Sequence, residues 1–419
     1  MVRVHVVVPE GFDDPGQPTG GNIYDRRACA GLAGAGWEVR VATVAGAWPR
    51  PGASARDALA RIVSAIPDGE IVLIDGLIAS PAAAQLLPHA GRIPLTVLLH
   101  MPLATAPETR HDDSAVRSER AVLSAATGVV VTSEWTRQQV LARYEVPAGR
   151  VHVARPGADR VGAPARPVRG HLLCVGVLSY HKGQDLLVEA LADLADLDWH
   201  CVLAGPPDRD PGFAGQVRTR ITRLGYGSRV RLAGVLTGPA LSDAYATADL
   251  LVAPSRSETY GMAVTEALAH GLPVLAAAVG GLPEALGSAA GGGCPGQLIP
   301  PGDPSALAAA IREWLGDEHH RHRLRAAAEQ RRSTLSGWEQ TTEQIARALT
   351  AHGRSQPAPP GVTHGLCAGS RALPHGAALR GSQGTSGAAA CGRPGPGPHP
   401  ALGDQRRHRA PGVPRRGPR

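Results

Sequence analysis

Ala253-Pro-Ser-Arg-Ser-Glu-Thr-Tyr-Gly-Met-Ala-Val-Thr-Glu-Ala-Leu-Ala-His-Gly-Leu-Pro-Val274 is the stretch that decides the fold. It opens at the end of the short apolar run Leu250–Ala253, passes through a loop bearing Glu258, turns at Gly261, and continues as a helix that carries Glu266 in its first turns. A second short run begins at Val274, after a break at Gly271 and Pro273. Aliphatic runs joined by a helix are the repeating unit of a parallel sheet, because parallel neighbours need a crossover connection.

The same rhythm extends both ways. Strands are expected at Leu172–Gly176, Trp199–Ala204, Val230–Ala233, Leu250–Ala253 and Val274–Ala276, with helices near Gln184–Leu194, Gly212–Leu224, Ala240–Ala246, Val264–His270 and Ser305–Leu315. An earlier series places strands at Val2–Pro9, Glu38–Val44, Ile71–Asp75, Leu95–His100, Gly128–Thr132 and Val151–Ala154. Between the two, Pro156–Arg169 has Pro and Gly but no apolar period. The reading is α/β: one doubly wound, Rossmann-like domain over 1–155, a linker over 156–169, and a second such domain over 170–335. A helical segment over 336–354 could cross back onto the first domain.

From Ser355 the composition changes to Gly, Pro, Arg, His and Ser without period, so 355–419 is expected to be a disordered tail. That tail carries nine Arg against one acid, Asp404, so it supplies about +8 of the formal net charge of +7 and leaves the body near −1. Bulk charge therefore gives the body no reason to bind nucleic acid. The bias of the tail also resembles a GC-rich gene read out of frame, so a tail without selected function is as good a reading as a nucleic-acid-binding arm. Six scattered Cys write neither a disulfide framework nor a zinc site. No signal peptide and no run of about 18 apolar residues is found, so the expectation is a cytoplasmic protein with at most peripheral membrane contact.

Glu258 falls at the carboxyl end of a parallel strand, where open α/β sheets bind ligands, and the helix start at Gly261–Ala263 offers backbone N–H groups to a phosphate. Glu258 and Glu266 flank that phosphate position. Carboxylates repel phosphate but accept hydrogen bonds from sugar hydroxyls, which points to a ligand with sugar on both sides of a diphosphate.

Pro254, Ser255, Glu258, Gly261, Glu266 and Ala267, followed by Gly271-Leu-Pro-Val274 and Gly280-Gly-Leu-Pro-Glu284, resemble the signature of the retaining GT-B glycosyltransferases of the glycosyltransferase group 1 / family 4 type. The resemblance runs over nearly the whole body, through Thr19-Gly-Gly21, Val131-Thr-Ser-Glu-Trp-Thr136, Pro156-Gly-Ala-Asp159 and Gly176-Val-Leu-Ser-Tyr-His-Lys-Gly183. It implies two domains facing across a cleft, the first on the acceptor side and the second holding a nucleotide sugar. It further implies that Lys182 contacts the donor diphosphate, Glu258 a hydroxyl of the transferred sugar, and Glu266 the ribose. Gly20 and Gly21 would close over the phosphates, Gly261 and Met262 would border the donor, and His100 would lie over the donor sugar near the reacting bond.

Lys182 has support of its own, being the sole Lys beside 42 Arg. A lone Lys in a phosphate loop fits a need for a compact point charge. One position departs from the family: the usual Arg five residues before that Lys is Val177 here, so either Arg256 or Arg209 substitutes for it or donor binding is weaker. Asp208-Arg-Asp210 reads as a solvated loop, and His319, His320 and His322 as a solvated helical face.

The resemblance implies glycosyl transfer from a nucleoside diphosphate sugar with retention, no cofactor and no obligatory metal, to a small-molecule, lipid or glycan acceptor, with no nucleic acid partner. Two other readings stand beside it: a nucleotide-sugar epimerase or hydrolase on the same architecture, and a non-catalytic partner subunit, which Val177 favours. The tail makes one expectation testable at once. Truncation after Arg354 should leave the melting temperature and donor turnover unchanged; loss of most of either in the shortened chain would make the tail part of the fold.

Overall fold

A computed structural model describes residues 2–106, 112–162 and 167–352; the expected tail over 355–419 lies outside them. The first half runs β1 (Arg3–Pro9), α1 (Gly20–Gly34), β2 (Glu38–Val44), α2 (Ala53–Ser64), β3 (Ile71–Asp75), α3 (Gly76–Ala79), α4 (Ala83–Leu86), β4 (Leu95–Leu99), α5 (Asp113–Ala125), β5 (Gly128–Val131), α6 (Glu134–Arg143) and β6 (Val151–Val153). The second runs β7 (His171–Val175), α7 (Gln184–Ala192), β8 (His200–Ala204), α8 (Pro211–Arg223), β9 (Val230–Gly234), α9 (Gly238–Thr247), β10 (Leu250–Ala253), α10 (Met262–Ala269), β11 (Val274–Ala277), α11 (Leu282–Leu286), β12 (Gly296–Ile299), α12 (Pro304–Gly316), α13 (Glu318–Arg332) and α14 (Trp338–His352).

Each half is a six-stranded parallel sheet, ordered β2-β1-β3-β4-β5-β6 in the first and β12-β11-β10-β7-β8-β9 in the second. β4 and β5 are buried along their whole length, as strands covered on both faces must be. The chain reverses its direction of travel across the sheet between β1 and β3, and again between β7 and β10. Loops leaving the carboxyl ends of such a pair turn to opposite faces and open a crevice between them. At those exits stand Gly20, which opens α1, and Asp75, which ends β3, in the first half, and Lys182 and Glu258 in the second.

One strand escaped the sequence reading. β12 is a Gly-Gln-Leu-Ile run between Pro295 and Pro300, too short and too mixed to register as apolar, yet it pairs with β11 from Val274↔Gly296 to Ala277↔Ile299.

α14 follows the second sheet in sequence but packs on the first. Its Ile345, Ala348 and Leu349 join Tyr24, Ala28 and Leu32 of α1 over Val4, Val6, Leu73, Leu98 and Val130 of β1, β3, β4 and β5. The crossing is pinned where it begins: Ala158 N–H donates to the Ser336 carbonyl at 2.9 Å, Thr341 Oγ1 donates to the Arg155 carbonyl at 2.7 Å, and Trp338 meets Tyr24 edge-on at 5.7 Å. Because α14 seals one face of the first sheet, Ile345→Ala should destabilise the protein by about 2–5 kcal/mol in denaturant unfolding. A loss under about 1 kcal/mol would mean that the face does not depend on this helix.

Candidate functional site

In the second half the two loops of the switch point meet through their charges. The 3-10 turn Tyr180–Lys182 aims the Lys182 ammonium at the Glu258 carboxylate, with which it forms an ion pair. Both side chains are mostly enclosed, 23% and 13% exposed. The Lys182 stem runs past Gly176, where an added Cβ would be in ordinary contact at 3.4 Å. Arg256 N–H and Ser257 N–H donate to the His181 carbonyl at 2.8 and 3.3 Å, so the Glu258 loop is tied to the Lys182 loop by backbone as well as by charge. From the other side Gly280, with φ +58°, lets the backbone approach so closely that any Cβ there would collide with the Glu258 carbonyl, and Gly281 N–H donates to that carbonyl at 3.0 Å. Lys182, Glu258 and Gly261 line one small cavity with Ser255, Ala263 and Leu282.

Gly261 caps α10 with φ +105°, a conformation that a side chain would strain. The first-turn amides of Met262 and Ala263 belong to the set a helix leaves without an internal partner. Glu266 lies further along α10, held by the Tyr245 hydroxyl, which donates to its Oε2 at 2.7 Å. Burial raises the Glu266 carboxyl above its ordinary value, against the hydrogen bond from Tyr245. His270 stacks on Tyr245 at 5.0 Å and fixes that ring.

In the first half Thr19 caps α1, accepting from Asn22 N–H at 3.1 Å, and Gly20 and Gly21 form its first turn. Gly21 backs onto the His100 ring, and a Cβ at Gly20 would stand 3.7 Å from the Met262 sulfur. The first turns of α1 and α10 therefore face each other, with His100 beside them. His100 is not alone there. Its Nε2 and Asp25 Oδ1 are 2.8 Å apart, and Asp75, at the end of β3, completes a group with one side-chain nitrogen or oxygen from each residue within 4.8 Å of the others. Burial on its own would lower the His100 pKa, but the charge and hydrogen bond of Asp25 and the charge of Asp75 push it up to about 9. Burial and then the neighbouring Asp25 charge push Asp75 up to about 8. Both shifts favour the protonated forms of His100 and Asp75 near neutral pH.

Asp25 and Asp75 were not singled out from the sequence. Asp75 ends a strand on the ligand side of the sheet, which is a signal that could have been read; Asp25, one turn into α1, carries none. The halves are also joined beside the Glu258 loop. Ser133 Oγ donates to the Thr259 carbonyl at 2.6 Å, and the Glu284 carboxylate accepts from Glu134 N–H at 2.9 Å and Trp135 N–H at 3.3 Å, at the N-terminus of α6.

Of the two candidate replacements for the missing Arg, Arg256 is engaged elsewhere. Arg256 is committed to a two-pronged pair with Asp185 at 2.7 and 2.8 Å, and stacks over Tyr180 at 4.1 Å; Arg209 is exposed. Asp210 of the supposed solvated loop caps α8, accepting from Phe213 N–H at 3.0 Å. His319 and His322 are exposed as expected, but His320 turns inward toward Glu313 because it falls on the buried stripe of α13 with Leu324 and Ala327. Among the described residues no helix is long and apolar enough to cross a membrane.

The comparisons with known proteins agree with this arrangement. Residues 2–160 match the family described as Glycosyltransferase Family 4, and residues 165–331 match Glycosyl transferases group 1. A D-inositol 3-phosphate glycosyltransferase of Catenulispora acidiphila is 34% identical over 58% of this chain and 62% of its own length. One from Kineococcus radiotolerans is 33% identical over 54% and 58%. The match thus spans less than two thirds of these relatives. Among solved structures, a sucrose-phosphate synthase from Thermosynechococcus elongatus superposes with TM-score 0.68 at 23% identity, over 84% of this chain and 99% of its own. HepE of Anabaena, solved in complex with UDP-glucose, superposes with TM-score 0.66 at 19% identity, over 84% and 100%. With both halves matched and two facing Rossmann-like sheets, the chain belongs to the group 1 glycosyltransferases of the GT-B fold.

Proposed function

We propose that the chain transfers a glycosyl group from a nucleoside diphosphate sugar to an acceptor, with retention of configuration and without an obligatory metal. The observation that carries this reading is the Lys182–Glu258 pair at the switch point of the second sheet, beside the facing first turns of α1 and α10. A diphosphate between those turns would meet amides from both helices and the Lys182 ammonium, all placed where negative charge grows as the glycosidic bond breaks. Glu258, released from Lys182, would accept from a hydroxyl of the transferred sugar, and Glu266, steadied by Tyr245, from the ribose. The leaving phosphate would take the proton of the acceptor on the same face. Closure of the halves would exclude water and limit donor hydrolysis. HepE in complex with UDP-glucose supports the donor class, and the relatives named for inositol 3-phosphate make a polyol phosphate the first acceptor to try. The cytoplasmic location expected from the sequence is part of the same proposal.

A second reading, an epimerase or hydrolase, needs an acid or base in the first half, and the His100 cluster offers one. Incubation with UDP-, GDP- and ADP-sugars, with and without acceptor, separates the readings. Nucleoside diphosphate release that depends on acceptor supports transfer, release without acceptor supports hydrolysis, and a changed sugar without release supports epimerisation. No turnover in any arm overturns the enzyme reading.

Two sets of variants test the roles. Glu266→Ala should weaken binding of the free nucleotide by about 1.5–3 kcal/mol in calorimetry, while Glu258→Ala leaves it nearly intact and lowers turnover. Equal losses of nucleotide affinity in both would contradict the assignment. Lys182→Ala should lower turnover by roughly a hundredfold or more with a much smaller change in donor affinity, and Lys182→Arg should rescue only in part. Val177→Arg should tighten diphosphate binding, since Arg256 is already spent on Asp185. Binding gained only in Val177→Arg, with none in the wild type, would favour the non-catalytic subunit.

A further inference from the structure

Asp25 is buried in the first half with its two carboxylate oxygens in different circumstances. Oδ1 is bonded to His100 Nε2, whereas Oδ2 is enclosed and has no hydrogen-bond partner among the described residues. A buried charge persists only when something compensates it, and here the compensation is the His100 ring. That ring is also gripped by Tyr24, edge-on at 5.2 Å, whose hydroxyl is anchored on the Ala154 carbonyl, and by the backbone of Gly21. Its orientation is therefore set, with Nε2 turned into the protein. Among the described residues Nδ1 has no partner.

We propose that Asp25 is a positioning residue: it anchors His100 through Nε2 and keeps the ring an imidazolium, so that Nδ1–H serves as a charged donor to a bound donor sugar or its departing phosphate. The proposal rests on the glycosyltransferase reading for the ligand, but the Asp25–His100 link stands or falls without it.

The groups facing the ring are few. From α1 come Asp25, Tyr24 and, beside Asp25, Cys29; from the end of β3 comes Asp75; from α10 comes the uncharged Met262, next to Gly20. Asp75 Oδ1 accepts from Leu77 N–H at 2.7 Å. Two enclosed carboxyls this close do not both ionise readily, and burial together with the Asp25 charge holds Asp75 up to about 8. His100 held up to about 9 stays protonated across the neutral range and gives up its proton only as pH rises through that value. Without the Asp25 charge, burial pulls the ring down, opposed only by Asp75, and the His100 midpoint falls.

The test uses the full chain with isotope-labelled histidine, His100 being assigned by the resonance missing in His100→Gln. Wild-type His100 should titrate near pH 9. In Asp25→Asn, which keeps an oxygen for the Nε2 hydrogen bond but removes the charge, the midpoint should fall to about 7 or below. Asp75→Asn, which can still cap α3, should move it by less. In the same Asp25→Asn protein the affinity for the free nucleoside, which brings no phosphate charge toward the ring, should be unchanged. Turnover should drop by about tenfold or more at pH 8 and recover in part at pH 6, where the ring is protonated again. An unchanged His100 midpoint in Asp25→Asn overturns the proposal, as does a larger shift in Asp75→Asn. A lowered midpoint with wild-type turnover at pH 8 overturns the positioning role. If the wild type turned over no sugar nucleotide at all, the enzyme reading would fail, and the titration alone would decide whether Asp25 holds the imidazolium.

Discussion

The pairing of β7 with β10, Leu172 beside Leu250 and Leu173 beside Leu251, is the contact from which the rest of the site follows. These strands are far apart in sequence, and the chain must leave them toward opposite faces of the sheet. The two exits are therefore adjacent in space while nothing fills the gap between them. A loop of six residues after β7 delivers Lys182 to that gap, and the loop after β10 delivers Glu258. Neither side chain could be kept this enclosed alone, since an unpaired charge loses its solvation on burial. As a pair they are tolerated, and a ligand offering a phosphate to one and hydroxyls to the other can replace each partner with a new one.

The same reasoning explains why the first half is held so firmly beside the second. α14 completes the first sheet although it is threaded after the second, so the covalent chain passes between the halves twice. Near the Glu258 loop the link is polar instead. Glu284, immediately after the glycine turn that clasps Glu258, lies on the N-terminus of α6, where a carboxylate is favoured by the free amides and the positive dipole end. Ser133, the cap of that helix, donates to Thr259, the residue after Glu258. The apolar contact at α14 fixes that the halves stay together, whereas the polar contact at α6 is one that water can replace.

Much of this was legible in the sequence, for definite reasons. Short aliphatic runs mark the strands, edge strands such as β2 included, so eleven of the twelve among the described residues stand out; β12 does not, because Gly296 and Gln297 leave it too little apolar signal. The Lys182 and Glu258 loops were readable because phosphate chemistry demands particular residues at strand exits. Asp25 was not, since a carboxylate on a helix ordinarily faces water, and only the three-dimensional neighbourhood of His100 turns it inward. The inward turn of His320 was missed for the converse reason: composition grouped it with two exposed histidines, and helical phase separates it from them.

Set side by side, the two crevices solve one electrostatic problem in two ways. In the second half charge is balanced between two ions, Lys182 and Glu258, which can part without moving a proton. In the first the shifts of His100 and Asp75 both favour their protonated forms, so a change in the charge of a neighbouring ligand would be felt as a change in proton affinity. A diphosphate bound as proposed between the first turns of α1 and α10 would bring negative charge toward His100 and strengthen the hold of the ring on its proton. On that proposal, the charge of the donor would itself favour the protonation state that stabilises its departure.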